Sequence, residues 1–255
     1  MQTDNSSSTD LRTSRHLVWC VGLLIVAAGV LSGTARAEVE VDPWEGMNRK
    51  LYAVNDGADR AILKPIARGY QWLFPRFIRR GIHNIFRNIG TPSVAVNQLL
   101  QGKAKPAVSD TTRFVVNSTL GIGGIFDVAT EVGLAEHEED FGQTLAVWGV
   151  GNGPFFTIPF RGPATTTHAF GMLVEAFASP LQLISPTRDR YIAYGVMFVD
   201  MRSELLAAEA LMAGDEYLFL RDAYLQRREY LIKDGEIEDD PFLDDFDDYE
   251  DDYDQ

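Results

Sequence analysis

The residues best equipped to do chemistry are five consecutive titratable side chains at positions 136–140, with the sequence Glu-His-Glu-Glu-Asp. Carboxylates beside a histidine can bind a metal ion or exchange protons with a substrate. Adjacent residues on one turn point in different directions, however, so the pattern favours a solvated charged turn. The four histidines show no HxxxH spacing, and Cys20 is the only cysteine. The sequence therefore predicts no metal site, no cofactor and no intramolecular disulfide.

Two further catalytic patterns are incomplete. Residues 149–153 read GVGNG, which imitates part of a dinucleotide-binding fingerprint, but Pro154 stands where that fingerprint needs its last glycine. The chain has no GxSxG sequence, so a lipase-like nucleophile is not supported. We therefore predict that the protein is not an enzyme and has no catalytic residues. An envelope enzyme acting on lipids stays an alternative, which would need a nucleophile–base pair.

The charge of the chain is unevenly distributed. Its formal net charge of −14 includes twelve carboxylates within residues 236–255, where there is no lysine or arginine, so the rest of the chain carries only −2. A nearly neutral body with an acidic end is unlike the basic footprint of a nucleic-acid-binding protein. The 255 residues, with 45% hydrophobic content, are enough for one domain with a sizeable core.

Residues 1–37 have the features of a secretory signal peptide. A basic start precedes an apolar run over residues 17–31, and Ala35-Arg36-Ala37 supplies the small-residue cleavage pattern. The run is shorter than the roughly twenty residues that a membrane-spanning helix needs, although an uncleaved anchor stays an alternative. Cys20 lies inside the apolar run rather than after small residues at its end, so attachment of a lipid at this cysteine is not predicted.

The first testable prediction concerns the mature N-terminus. Because Ala37 completes the cleavage pattern, we expect the mature chain to begin at Glu38 without an acyl group. Mass spectrometry of the purified protein measures this directly. A lipid-modified cysteine at the mature N-terminus would show that the prediction is wrong.

Residues 38–235 form the predicted domain, and their periodicity is mainly helical. Asp42-Pro43-Trp44-Glu45 predicts a helix start with Asp42 as the N-cap and Glu45 closing a capping box. A break is expected at Gly90-Thr91-Pro92, long helices over residues 190–212 and 216–233, and strands only near residues 148–160. Because almost all of the predicted elements are amphipathic helices, the sequence predicts a mainly α-helical fold.

Aromatic side chains alternate with arginines near the end of the second predicted helix. The aromatic residues Trp72, Phe74 and Phe77 stand beside Arg76, Arg79 and Arg80. A membrane interface selects this combination, because rings settle at headgroup level while guanidinium groups meet lipid phosphates. An ordinary core helix with a solvated basic face explains the same pattern, so both interpretations stay open here.

Residues 117–162 interrupt the helical periodicity and contain nine glycines. Glycine at this density permits backbone paths with positive φ, at a cost of roughly 0.5–1 kcal/mol per residue in regular structure. A long surface loop would explain the glycines, but the segment also carries Phe126, Phe141, Trp148 and Phe155. Such apolar content is unusual for a solvated loop.

Several motifs occur in an order that resembles the MlaA/VacJ family of outer-membrane phospholipid-transport proteins. They are DPWEGMNRKLY, TRFVVNSTLGIGGIFDVA, EDFGQTLAVWGVGNGPFFTIPFRGP, DMRSELL and YLFLRDAYLQRREYL. The resemblance implies a ring of amphipathic helices around a central channel, lying in the periplasmic leaflet of the outer membrane. It implies passive removal of mislocalised glycerophospholipids from the outer leaflet. The implied partners are an outer-membrane porin trimer and a soluble periplasmic lipid carrier of the MlaC kind.

The resemblance also implies a mobile channel gate in the glycine-rich segment. The residues predicted to form its hinges and contacts are Gly121, Gly123, Gly124, Ile125, Phe126, Asp127, Phe141 and Gly142. These glycines could instead be tight-packing positions between helices. The chain departs from the family at Thr167-His168, where an Arg-Asp pair is common, so that pair's role is not transferred. A non-conducting adaptor that binds porins stays the alternative function.

The acidic segment over residues 236–255 is predicted to be disordered and dispensable for folding, because twelve carboxylates cannot be neutralised locally. Weak attraction to a basic periplasmic surface would weaken with added salt. We expect a chain truncated after Gly235 to keep its thermal midpoint within a few degrees. A larger fall on thermal unfolding would show that the segment is packed.

Overall fold

The computed structural model describes residues 41–212 and 214–236. The predicted signal peptide and the acidic segment beyond residue 236 lie outside the described residues. The described helices are α1 (Glu45–Ala58), α2 (Lys64–Leu73), α3 (Arg76–Leu100), α4 (Ala104–Thr119), α5 (Val128–Glu131), α6 (Phe141–Val147), α7 (Thr166–Ala178), α8 (Thr187–Leu205) and α9 (Glu216–Ile232). A π-helical turn, Asp59–Leu63, joins α1 to α2. The prediction of a mainly helical fold is confirmed.

Two short strands interrupt the helices at the end of the glycine-rich segment. Strand β1 (Phe155–Ile158) pairs antiparallel with β2 (Gly162–Thr165), with Phe155 opposite Thr165 and Ile158 opposite Gly162. The expected location of strands, near residues 148–160, therefore holds for β1, and β2 follows directly after a three-residue loop. The hairpin contacts α1 on one side and α7 and α9 on the other.

Contacts between the elements form a closed circuit. Helix α3 contacts α8, α8 contacts α2, and the π-helical turn connects α2 to α1. Helix α1 then contacts β1, β2 contacts α7, α7 contacts α6, and α6 returns to α3. Helix α4 packs along α3 as its antiparallel neighbour, and α9 crosses α6 and β2. Each member of the circuit thus has a neighbour on both sides.

The predicted break at residues 90–92 is wrong. Helix α3 runs without interruption from Arg76 to Leu100 and contains Pro92 in its interior. The Thr91 hydroxyl donates to the Arg87 carbonyl at 3.0 Å, which supplies one bond in the turn before the proline. Packing against α4 and α8 stabilises the continuous helix, and such tertiary contacts outweigh the roughly 3 kcal/mol that a proline costs in a helix interior.

The predicted cap at Asp42 is also wrong. Helix α1 begins at Glu45, and the carboxylate of Asp42 makes no cap. It is buried and accepts hydrogen bonds from Asn48 Nδ2, at 2.7 Å, and from the Tyr217 hydroxyl of α9. One partner is six residues away and the other 175, and together they replace the hydrogen bonds to water that the carboxylate loses on burial.

The interior of the fold is unusually polar. The largest fully buried side chains include Gln98, Gln143, Asn48, Asp110 and Asp200, whereas Phe155 is the only large apolar one among the described residues. Half of the buried apolar positions in the described part of the chain are alanines. A soluble domain of this size normally buries leucine, isoleucine, valine and phenylalanine in its core. The interior is therefore stabilised mainly by hydrogen bonds and ion pairs.

The exterior shows the reverse pattern. Trp72, Phe177 and Leu183 are 87%, 85% and 86% exposed, and many other large apolar side chains on α2, α3, α7 and α8 are exposed as well. Exposed apolar surface on this scale marks a contact with lipid or with another protein. Among the described helices, none combines the length and apolar composition needed to cross a bilayer. The surface suits lateral contact with an apolar medium.

Candidate functional site

Residues 121–127, here called the gate segment, form a compact turn after α4. The backbone amides of Gly123 and Gly124 donate to the carbonyls of Ser118 (3.0 Å) and Asn117 (2.8 Å). The amide of Phe126 donates to the carbonyl of Gly121 at 3.0 Å. These bonds hold the segment against the last turn of α4, where helix carbonyls would otherwise lack partners.

The three glycines of this segment differ in their surroundings. A Cβ atom on Gly121 would lie 2.5 Å from the Asn117 carbonyl oxygen, and one on Gly124 would lie 2.7 Å from Asn88 Cβ. Gly123 has a φ of +69° but open space around the position of a Cβ. Gly121 and Gly124 are thus close-packing positions, whereas Gly123 is needed for its backbone conformation alone. A hinge role stays a prediction for all three.

The gate segment presents apolar side chains outward. Ile122 adopts a positive φ of 55°, which is a rare and strained conformation for a β-branched residue. Its side chain is exposed, as are those of Ile125 and Phe126. Asn84 of α3 donates to the Ile125 carbonyl at 3.1 Å. The segment therefore combines stored backbone strain with an apolar outer surface.

Asp127 anchors the C-terminal end of the gate segment. Its carboxylate accepts two hydrogen bonds from Arg113 Nη2, at 3.1 and 3.2 Å, and one from Asn117 Nδ2 at 2.9 Å. It also caps α5 by accepting from the amide of Thr130. Burial alone would raise the pKa of Asp127, but the hydrogen bonds and the charge of Arg113 outweigh it and lower the pKa.

A small polar cavity of about 10 Å³ lies between α3, α4 and the gate segment. Its lining is entirely polar: Asn84, Arg87, Asn88, Thr91, Arg113, Asn117, Asp127 and Glu136. The buried Oδ1 atom of Asn88 has no hydrogen-bond partner in the described residues. The volume is close to that of one water molecule, so a lipid headgroup does not fit here in this conformation.

The five side chains of residues 136–140, here called the acidic strap, each have a partner of their own. The partners are Arg87 of α3 for Glu136, Asp110 of α4 for His137 and Lys103 for Glu139, while Glu138 and Asp140 both pair with α9, through Arg227 and Arg228. The Glu139 side chain is only 5% exposed and that of Asp140 21% exposed. The expectation of a solvated charged turn is therefore wrong for these two residues. In the described part of the chain, no three histidine, cysteine or acidic side chains could hold a metal ion.

Phe141 and Gly142 lie on α6, away from the gate segment. A Cβ on Gly142 would lie 2.9 Å from His168 Cα, and one on Gly171 would lie 2.9 Å from Gly142 Cα. The two glycines therefore allow α6 and α7 to cross closely. The amide of Phe141 donates to Glu175 Oε1 of α7 at 2.7 Å. The structure thus places the predicted hinge residues on two separate elements, α6 and the turn after α4.

The position that departs from the family pattern, His168, belongs to a buried network. Its Nδ1 lies 2.7 Å from the Tyr224 hydroxyl of α9, and its Nε2 lies 4.0 Å from Asp140. Burial lowers the pKa of His168, with a further lowering by Arg228. Arg228 in turn binds both oxygens of Asp140. This network fixes α9 against α6 and α7.

The Asp140 pair leads to a prediction about acid stability. Burial would raise the pKa of Asp140, but Arg228 and the Gln143 amide lower it overall. A carboxylate with a lowered folded pKa contributes stability above its unfolded pKa of about 3.9 and loses it as the pH falls through the folded value. We expect the thermal midpoint to fall between about pH 5 and pH 3, and Asp140→Asn to flatten that fall while lowering the midpoint at pH 7. Glu131→Gln, at an exposed carboxylate, is the matched control. An unchanged acid profile in Asp140→Asn would contradict the prediction.

The six predicted interface residues lie at the junction of α2 and α3. Trp72 and Phe77 are 87% and 72% exposed, and Phe74 is half-buried beside Tyr70. Arg76 and Arg80 are exposed, and no ion pair involves either of them among the described residues. Arg79 donates to the Phe74 carbonyl at 3.2 Å. An ordinary buried core helix does not fit these exposures.

Sequence reasoning missed the residues that position the gate segment, chiefly Arg113 and Asn88. Arg113 is 4% exposed and contacts Asp127, Thr130 and the Leu134 carbonyl. A signal was available, because polar Asp110, Arg113 and Asn117 recur with helical spacing among apolar neighbours. That polar stripe faces the interior rather than solvent.

Comparison with known proteins places this fold in a family. The family model described as MlaA lipoprotein matches residues 40–231. The chain is 31% identical over 228 residues to the intermembrane phospholipid transport system lipoprotein MlaA of Escherichia coli, covering 85% of this chain and 88% of that one. The Haemophilus influenzae protein of the same name is 30% identical, with 77% and 81% covered. An uncharacterized protein of Rickettsia bellii is 34% identical, with 75% and 77% covered.

A solved structure agrees with these relatives. Its TM-score to this chain is 0.67 at 31% sequence identity, and the match covers 75% of this chain and 98% of that one. That structure is described as "Structural basis for maintenance of bacterial outer membrane lipid asymmetry". With the family model matching most of the chain, the protein belongs to the MlaA family of lipoproteins.

Proposed function

We propose that this protein is a passive channel for phospholipids in the periplasmic leaflet of the outer membrane. It removes mislocalised glycerophospholipids from the outer leaflet and delivers them to a soluble periplasmic carrier. The observation that supports the proposal is the reversed polarity of the fold, in which the buried side chains are largely polar and the exposed surface carries many large apolar side chains. The names of the relatives, which describe phospholipid transport and lipid asymmetry, support the same function.

The polarity of the interior matches the energetic requirement for lipid movement. A phosphate stripped of water and hydrogen bonds in an apolar medium costs many kcal/mol, whereas acyl chains lose nothing by staying in the bilayer. A path with polar side chains inside and apolar side chains outside can hydrogen-bond the phosphate while the acyl chains stay in the bilayer. Such a path conducts down a concentration gradient without fuel and without a catalytic residue.

The gate segment controls this path in our proposal. In this proposal the path runs beneath the segment, where the cavity has room for about one water molecule and not for a headgroup, so passage requires the segment to move. Gly123 supplies the conformational freedom, while Ile122, Ile125 and Phe126 supply apolar contacts that form and break with the movement. The positive φ of Ile122 stores strain that lowers the cost of leaving the closed conformation.

The junction of α2 and α3 anchors the protein in its leaflet. Trp72 and Phe77 enter the boundary between headgroups and acyl chains, and Arg76 and Arg80 bind lipid phosphates. The remaining exposed apolar surface contacts lipid tails and, as the family resemblance implies, an outer-membrane porin trimer.

Labelling of surface-exposed phospholipid in cells with and without the gene tests the proposal. We expect more labelled phospholipid in the deletion strain and restoration by the full chain supplied in trans. Trimer formation by the major porins is measured in the same cells. Unchanged surface phospholipid together with impaired porin assembly would favour the non-conducting adaptor.

A further inference from the structure

Two arginines from neighbouring helices converge on one carboxylate among the residues that line the polar cavity. Arg87 Nε of α3 donates to Glu136 Oε1 at 2.6 Å, and the Nη2 of the same arginine contacts Glu136 Oε2. Arg113 Nη2 of α4 lies 3.8 Å from that Oε2 atom. Because this distance is beyond hydrogen-bonding range, Glu136 binds Arg87 directly but attracts Arg113 only through its charge.

The charges that line the cavity balance only while Glu136 is in place. Arg87 and Arg113 supply two positive charges, and Asp127 and Glu136 supply two negative ones. Burial lowers the pKa of Arg87; the charge of Asp127 raises it and that of Arg113 lowers it. An anion between the two arginines therefore stabilises both of them. Without the Glu136 carboxylate a single positive charge remains, which is complementary to the single negative charge of a phosphodiester.

Glu136 lies on a stretch of chain that side chains hold in place. The backbone around it belongs to no helix or strand. Within the described ranges, no amide of residues 135–139 donates to a backbone carbonyl. The Glu136 side chain is 30% exposed, so it can swing outward into water without breaking a backbone hydrogen bond. Since Glu136 lines the cavity, its departure enlarges the space in front of the two arginines.

Asn88 adds an unused hydrogen-bond acceptor to the same cavity. The residue is 6% exposed, and its Nδ2 donates to Ser118 Oγ at 2.9 Å. Its Oδ1 atom is buried, and no donor in the described part of the chain reaches it. A buried acceptor without a donor is destabilising. One water molecule fits the closed cavity, and a ligand that carries an N–H or O–H group supplies the same donor.

We propose that Arg87 and Arg113 form a binding site for the phosphate of a glycerophospholipid, and that Glu136 occupies this site until the phosphate displaces it. A headgroup donor, the ammonium of ethanolamine or a hydroxyl of glycerol, then pairs with Asn88 Oδ1. Guanidinium groups bind carboxylate and phosphate with the same planar fork, so the two anions are interchangeable at this site. The oxygens of a tetrahedral phosphate point in different directions, and one phosphate can therefore reach both arginines.

This site rests on the proposed channel function, since it names the part of the lipid that the path beneath the gate segment recognises. A carboxylate tethered to the chain competes at a high effective concentration. The headgroup is therefore held weakly and is released when Glu136 returns. Weak binding suits a lipid in transit, because conduction requires that a site be left as easily as it is entered.

Titration with a water-soluble headgroup tests the site. The full chain is purified in dodecyl maltoside, and the dissociation constant of glycerophosphoethanolamine is measured from the broadening of its phosphorus NMR line. We expect Glu136→Gln to bind this probe about ten-fold more tightly than the wild-type chain, because the competing anion is lost. Glu138→Gln is the matched control. It makes the same change two positions away, where the carboxylate pairs with Arg227 instead, and should bind like the wild-type chain.

A double variant tests the arginine at unchanged net charge. We expect Arg87→Gln/Glu136→Gln to bind the probe about ten-fold more weakly than Glu136→Gln, because one guanidinium fork is lost. Removing both partners leaves no unpaired charge behind, so the variant should fold. Circular dichroism verifies the helical content of every variant. Equal affinity in the double variant and Glu136→Gln would exclude Arg87 from the site.

Two further probes define the ligand. Dimethyl phosphate has the charge of a phosphodiester but no donor for Asn88, so we expect it to bind about three-fold more weakly than glycerophosphoethanolamine. Inorganic phosphate is also expected to bind more weakly, because Asp127 repels its second negative charge. Equal binding of dimethyl phosphate would exclude Asn88 from the site. Equal binding of inorganic phosphate would make this a site for free phosphate and overturn the assignment to a lipid.

The carboxylate variants decide whether Glu136 occupies a phosphate site at all. Equal affinity in Glu136→Gln and the wild-type chain would refute the proposal, and equal tightening in Glu136→Gln and Glu138→Gln would reduce the effect to overall charge. These results are independent of the channel function, which surface phospholipid labelling of the deletion strain tests. Increased labelling in that strain without headgroup binding at Arg87 would discard the site and keep the channel.

Discussion

Arg113→Met is expected to destabilise the protein by about 3 kcal/mol, because breaking a buried ion pair leaves an uncompensated charge. Arg113 is nearly fully buried and supplies hydrogen bonds to Asp127, Thr130 and the Leu134 carbonyl. Methionine fills a similar volume but removes the hydrogen bonds that Arg113 donates and the positive charge that faces Asp127. This value is at the low end of the roughly 3–5 kcal/mol that breaking a buried ion pair costs, because the side chain of Asp127 is 23% exposed. The change in the free energy of unfolding is measured by monitoring unfolding in detergent with circular dichroism.

A double-mutant cycle separates the ion pair from simple loss of packing. Asp127→Asn keeps an acceptor for Asn117 and Thr130 but removes the charge that faces Arg113. We expect the double variant Arg113→Met/Asp127→Asn to be about 1–2 kcal/mol more stable than the sum of the single effects predicts. Strict additivity would mean that the pair contributes nothing beyond packing.

Gly121→Ala is expected to deplete the protein from the membrane, whereas Gly123→Ala is expected to alter lipid transport at normal abundance. A Cβ on Gly121 would meet the backbone carbonyls of Asn117 and Phe126, which cannot move without breaking the turn. A Cβ on Gly123 meets nothing within 4 Å. Alanine there disfavours the observed left-handed backbone by roughly 1–2 kcal/mol, and so shifts the gate segment away from its closed conformation.

Immunoblotting of membrane fractions and labelling of surface phospholipid distinguish the two effects. Gly46→Ala on α1 is the control, because it also has open space and a helical backbone. Normal abundance with normal surface phospholipid in Gly123→Ala would argue against the gate. Depletion of Gly123→Ala alongside lost activity would instead make this glycine a packing position, as the alternative interpretation holds.

Local sequence signals predicted where helices begin and end better than they predicted which distant residues contact each other. The last helix was expected over residues 216–233 and is observed as Glu216–Ile232, because Asp215 caps it and Lys233 ends it. Asp42 also looked like a local cap, yet its partner Tyr217 lies 175 residues away. Nothing in a helical period reveals such a pairing, since it depends on how distant elements meet.

The acidic strap and Pro92 show the same limit in two other ways. Residues 136–140 look like a solvated turn in the sequence, because their partners are distributed over α3, α4, the turn between them and α9. A proline normally ends a helix, but two neighbouring helices pack against the helix that contains Pro92.

For the gate segment, the spacing of the glycines predicted an unusual backbone. The separate roles of Gly121, Gly123 and Gly124 depend on the atoms around each one, which the sequence does not reveal.

The polar interior has a thermodynamic consequence for the unfolding of this protein. The heat-capacity increment of unfolding grows with the apolar surface that unfolding exposes. The slope of stability against denaturant concentration grows with the total surface that unfolding exposes. Here the large apolar side chains are outside already, and alanines and hydrogen-bonded polar groups fill the interior. Exposed polar surface lowers the heat-capacity increment rather than raising it. The stability curve of this fold should therefore be flatter with temperature, and its denaturant transition broader, than those of a soluble domain of equal length.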